Sequence, residues 1–147
     1  MTRVEASAIL ADRAKQVDGD VVWRQHPDIT YGVSFRVEME FEGGNIAITG
    51  YYNRENKKFS LNMFRPGERP FVRLCMESEH HNPSCSDAGD PHLHEWDDDN
   101  GDKIAGAVAF SVDGELSDIW RAFCNWANIT HNGIFESPPP RQTGLFE

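Results

Sequence analysis

Four of the chain's six histidines, His80, His81, His92 and His94, fall between Glu77 and Asp102, a window that also holds nine acids and no lysine or arginine. Imidazoles among carboxylates suit three tasks: binding a divalent cation, holding protons near neutral pH, or meeting a basic partner. The window carries a formal charge of −9, and the remaining 15 acids and 14 bases add −1, which accounts for the net −10. Charge this localised marks a site rather than a solubility coat.

A strand after Pro91 would project His92, His94 and Trp96 to one face and Leu93 and Glu95 to the other. The loop from Asn82 to Pro91 is short enough to return the chain beside itself and bring His80 or His81 near that pair. Three neutral imidazoles and a water form an open zinc arrangement, in which the bound water becomes acidic enough to act as hydroxide. His80, His92 and His94 are therefore the expected ligands of one divalent, zinc-type ion. The same residues serve a metal-free scheme, with one histidine as base and another as acid on a phosphodiester. There Arg73 would clamp the anion and Asn82 would orient a hydrogen bond. Crowded acids are expected to raise the histidine pKa values. Cys85 reads as an incidental loop thiol, and Cys75 and Cys124, set among apolar residues, read as core. The run Asp97 to Gly101 imitates a calcium loop, but its glycine comes one position early and Val108 stands where the closing glutamate belongs. It reads as a hairpin turn.

The elements that must position these groups follow from periodicity. From Ile29 to Phe41 every odd position is apolar, the pattern of an antiparallel strand with one dry face. Gly43-Gly44-Asn45 turns the chain into a strand bearing Ile46, Ile48 and Tyr52; a third carries Phe59, Leu61 and Met63; and in a fourth Val72, Leu74 and Met76 alternate with Arg73, Cys75 and Glu77. Ala105 to Phe110 forms a further apolar stretch. Thr2 and Glu5 fit a capping box ahead of a first helix whose stripe, Val4, Ala8, Ala11, Ala14 and Val17, runs towards Gly19. Asp113 is expected to cap a last helix with Leu116, Ile119, Trp120, Phe123 and Ala127 on one side. These elements make an α+β domain over 1–136: a bent antiparallel sheet of about five or six strands with the N-terminal and C-terminal helices on one side, followed by a Pro-rich, mobile tail over 137–147.

Composition narrows the functions. The longest apolar stretch is far short of a membrane span, the first residues lack a signal-peptide core, and three cysteines without a CxxC pair point to reduced thiols, so a cytoplasmic protein is expected. The acidic balance argues against tight non-specific nucleic-acid binding, which leaves nucleic acid as a substrate only. Arg54, Lys57, Lys58, Arg65, Arg69 and Arg73 make a small basic cluster that reads as solvated strand edges. A different class of function also fits the acids: a non-catalytic inhibitor or antitoxin-like protein whose segment 77–102 occupies a basic surface on a partner.

The segments Arg73-Leu74, His80-His81-Asn82-Pro83, Pro91-His92-Leu93-His94-Glu95-Trp96 and Gly101-Asp102-Lys103-Ile104-Ala105 resemble a family of small uncharacterised bacterial and mobile-element proteins, a domain of unknown function. Its pattern reads Arg-Leu-Asp, His-x-Asn-Pro, Pro-His-Leu-His-x-Tyr and Gly-Asp-x-Trp-Ala. Here Cys75 replaces the first acid, Ile104 replaces the tryptophan, and the loop gains Cys85. A fainter similarity runs to toxin components of toxin-antitoxin pairs, which implies an RNA-directed or phage-defence role.

Overall fold

In the computed structural model of the chain the described residues are 1–76 and 91–140. The first helix, α1 (Arg3–Ala11), begins where expected: Thr2 is its N-cap, and the Thr2 hydroxyl accepts the Glu5 N–H at 3.1 Å. It stops earlier than the stripe predicts. Ala6 and Ile9 form its buried face while Val4 is 78 % exposed. Ala14 and Val17 lie beyond its end, because Lys15–Asp18 forms β1, in which Lys15 and Val17 are buried and their neighbours exposed. The Lys15 ammonium donates to the carbonyls of Ile9, Leu10 and Asp12, which occupies the acceptors that end α1. The apolar spacing that imitated a longer helix is the two-residue period of a strand joined to a helix about two turns shorter.

The main sheet has seven strands in chain order, all antiparallel: β2 (Arg24–Gln25), β3 (Gly32–Phe41), β4 (Gly44–Asn53), β5 (Phe59–Phe64), β6 (Val72–Met76), β7 (His92–Glu95) and β8 (Ala105–Gly106). This exceeds the expected five or six because the two edge strands, β2 and β8, are only two residues long and too short to show periodicity. Most of the stretch from Ala105 to Phe110 is accordingly not strand. The last helix, α2 (Leu116–Trp126), is capped by Glu115 rather than Asp113, in a box where Glu115 and Asp118 satisfy each other's backbone N–H groups. After it comes β9 (Ile129–Asn132), which pairs in parallel with β1 as a separate two-stranded sheet.

Register divides the main sheet into two faces. Val33, Phe35, Met39, Ile46, Ile48, Phe59, Leu61, Met63, Val72, Leu74 and Leu93 share one of them and form a single core with Ala6 and Ile9 of α1 and Ile119, Trp120 and Phe123 of α2. Both helices therefore pack on the dry face. Gly50 is required within it: a Cβ there would lie 2.0 Å from the Phe35 ring. At the chain's far end the carbonyls of Pro139 and Pro140 accept from Arg54, and Glu136 accepts from the Trp23 indole, so the proline run is tied to the body as far as it is described.

Candidate metal centre

The polar residues of β6 and β7 face away from that core. Cys75 pairs with His92 and Arg73 with His94, and directly opposed residues of an antiparallel ladder project to the same side. A thiol, two imidazoles and a guanidinium are thus placed together by backbone pairing alone. Cys75, His92 and His94 are 3 %, 2 % and 2 % exposed, and their three donor atoms all lie within 4.8 Å of one another. The two rings stand 5.2 Å apart, tilted by 60°. A tetrahedral zinc with bonds of about 2.0–2.3 Å sets its ligands roughly 3.5 Å apart, so these donors need to close by about an ångström, within reach of small side-chain rotations.

The orientation of His94 is set from outside the cluster. Its Nδ1 lies 2.8 Å from the Asp102 carbonyl, which can only accept, so Nδ1 carries the hydrogen and Nε2 presents its lone pair. That Nε2 is buried and has no hydrogen-bond partner among the described residues. Such an arrangement is the one adopted by metal-ligating histidines, whose second nitrogen donates to a carbonyl or carboxylate.

Asp102 is the second support. Its carboxylate, 7 % exposed, accepts from Arg69 at 2.5 Å and from Arg73 at 3.2 Å. Burial pushes its pKa up, but the Arg69 hydrogen bond and the charges of Arg73 and Arg69 overcome this and hold it below the ordinary carboxylate range. Burial and one of these arginines reverse an expectation from sequence. The His94 pKa is lowered, by burial first and by the Arg73 charge second. The Asp102 backbone and carboxylate pull the other way, but burial and the Arg73 charge outweigh them.

Of the groups expected to converge, His92, His94 and Arg73 do so. His80 and Asn82, with His81 and Cys85, lie outside the described residues. Cys75 corrects the reading of that residue as plain core: it is buried, but on the polar face beside the histidines. Its signal was present in the alternation of β6, where it shares parity with Arg73 rather than with Val72 and Leu74. Trp96 follows in the His92–His94 series; its indole N–H is buried without a partner among the described residues, and the Arg69 guanidinium lies 6.0 Å from its ring centre. Asp97 closes a hairpin turn as expected, its Oδ1 accepting from the backbone of Asp99 and Asn100.

Among the described residues, no helix is long and apolar enough to cross a membrane. No curated protein and no solved structure matches the chain. A family model does, over residues 3–131, a range that takes in α1, the whole main sheet, the Cys75, His92 and His94 cluster and α2. On that match the chain belongs to the family of unknown function DUF6978.

Proposed function

We propose that Cys75, His92 and His94 hold a divalent, zinc-type ion and that the protein is a metal-dependent hydrolase acting on phosphodiesters. The carrying observation is the buried Nε2 lone pair of His94, without a hydrogen-bond partner among the described residues and fixed in its tautomer by the Asp102 carbonyl, in a cluster whose three donors fall within 4.8 Å. A buried acceptor left unsatisfied costs about 1–3 kcal/mol, which ligation would recover. One thiolate and two imidazoles suit zinc, and an ion so held with an open position lowers the pKa of bound water to near neutrality. Arg73, opposite His94 in register and 23 % exposed on its side chain, is the cation that would neutralise a phosphate oxygen. On spacing alone, His80 is assigned as fourth ligand or acid-base group and Asn82 as an orienting amide. The fainter likeness to toxin components agrees with an RNA-directed hydrolase of this kind.

Elemental analysis of protein made without a histidine tag tests the reading. One equivalent of zinc, manganese or nickel is expected, lost in Cys75→Ser and in His94→Ala, together with chelator-sensitive cleavage of bis(4-nitrophenyl) phosphate. Metal-free protein that takes up none of these ions on reconstitution would overturn the site. Cleavage that survives chelation would transfer the chemistry to histidine acid-base catalysis. A His80→Ala variant that retains metal leaves water as the fourth ligand.

A second reading draws on the exposed acids Glu95, Asp98 and Asp99 that follow the two histidines in the chain: a non-catalytic protein that covers a basic surface of a partner with its segment 77–102. It predicts binding that weakens steeply with salt and persists in His94→Ala.

A further inference from the structure

The sheet face that carries the metal ligands extends well beyond them. By register Ser34, Tyr51, Ser60, Cys75 and His92 form one row across the strands, and Arg36, Thr49, Asn62, Arg73 and His94 form the next. Arg24, opposite Ser34, carries the first row onto β2. At about 4.8 Å per strand the rows run roughly 19 Å from β3 to β7.

Both helices pack on the other face, and among the described residues none of the core lies over these rows. Arg24 and Arg36 are exposed, Thr49, Tyr51, Ser60, Asn62 and Arg73 are half-buried, and the three ligands at the end are buried. At the opposite end Arg24, Ser34, Arg36 and Thr49 help to line a cavity of about 410 Å³.

The rows hold three arginines and no acid, in a chain of net charge −10. Acids at their margins are engaged: Glu38 with Arg36 at 3.1 Å, Asp102 with Arg69 and Arg73, and Asp20 with the Ile134 N–H. Tyr51 adds an aromatic ring, and the serines, threonine and asparagine add hydrogen bonds that carry no fixed charge. Spaced cations, a stacking ring and neutral donors on one sheet face match an extended polyanion bearing flat rings.

We infer that single-stranded nucleic acid lies along these two rows, which lead one of its phosphodiesters to the centre formed by Cys75, His92 and His94. The inference rests on the hydrolase reading for its substrate, but its surface adds residues outside that site, Arg24, Arg36 and Tyr51 above all.

Fluorescence anisotropy with a short labelled RNA of mixed sequence tests it, at about 50 and 200 mM salt, with metal content measured in the same samples. The wild-type chain is expected to bind the single strand more tightly than a duplex of equal length. In an Arg24→Gln, Arg36→Gln double variant, affinity should fall about tenfold and the salt slope by about 1.4, the share of two phosphate contacts. Tyr51→Leu should weaken binding about fivefold. Cys75→Ser should lose metal and keep RNA affinity, so failure of the metal site leaves this surface standing. Absent binding at the lower salt, an unchanged affinity in the double variant, or preference for duplex or for heparin would overturn the inference whatever the metal content.

Discussion

His94 shows how much of this centre depends on a single tautomer. With Nδ1–H committed to the Asp102 carbonyl, the lone pair on Nε2 is available at any pH at which the ring is neutral. Burial and Arg73 lower its folded pKa below the ordinary value of 6.5, which the unfolded chain retains. Below pH 6.5 the unfolded state therefore binds more protons, and the His94 contribution to stability declines as pH falls towards the folded pKa. Urea midpoints of the apo-protein between pH 5 and 8 should drop on acidification in the wild type. The decline should be shallower in His94→Gln, which keeps a donor for Asp102 without titrating. Cys75→Ser replaces a soft sulfur by a weak oxygen ligand and should reduce zinc affinity by at least about 100-fold, as competition with a chromogenic chelator would read. Cys75 and the histidines were equally visible in the chain; their neighbourhood was not. Nothing local to residue 75 shows that residue 92 will stand opposite it, since that depends on the register of two strands joined by the segment 77–90.

At the scale of elements, α1 and the central strands rest on two contacts that sequence patterns do not display. Lys15 is fully buried with its ammonium among three carbonyls at the end of α1, and burial lowers its pKa to about 8. Lys15→Met leaves those carbonyls without their donor and should destabilise the fold by about 2 kcal/mol in urea unfolding. Asn128, whose side chain donates to the Leu10 carbonyl, holds the same helix end. In the sheet, Gly50→Ala forces a methyl group into the Phe35 ring and should cost about 2–3 kcal/mol, while Phe35→Leu in the same chain should recover part of the loss, a coupling that a double-mutant cycle measures. Long elements were legible because ten residues of strict alternation in β3 admit one interpretation. The two-residue strands were not, since they are too short to show a period, and neither was the end of α1, where β1 pairs with β9 from the far end of the chain.

For the whole molecule, the metal centre would join two strands whose connecting segment carries four acids and no lysine or arginine. Ligation that favours the folded chain alone stabilises it by mass action, about 2.7 kcal/mol at one hundred times the dissociation constant. Calorimetry is expected to show a rise in Tm on adding zinc, reversed by chelator and absent in Cys75→Ser. An equal rise in that variant would place the ion elsewhere.

The sequence by itself determined an α+β chain with an alternating antiparallel sheet, a helix at each end of it, and a histidine-rich acidic window in which two imidazoles share a face. These are consequences of local spacing, which periods of two and of about 3.6 residues convert directly into faces. Only the tertiary structure decided that Cys75 joins the imidazoles, that Asp102 fixes the His94 tautomer through its backbone, and that burial and Arg73 outweigh the Asp102 carboxylate in setting that histidine's pKa. Each of those outcomes requires two distant segments to meet in one register, and a one-residue slip would turn every one of these side chains to the opposite face.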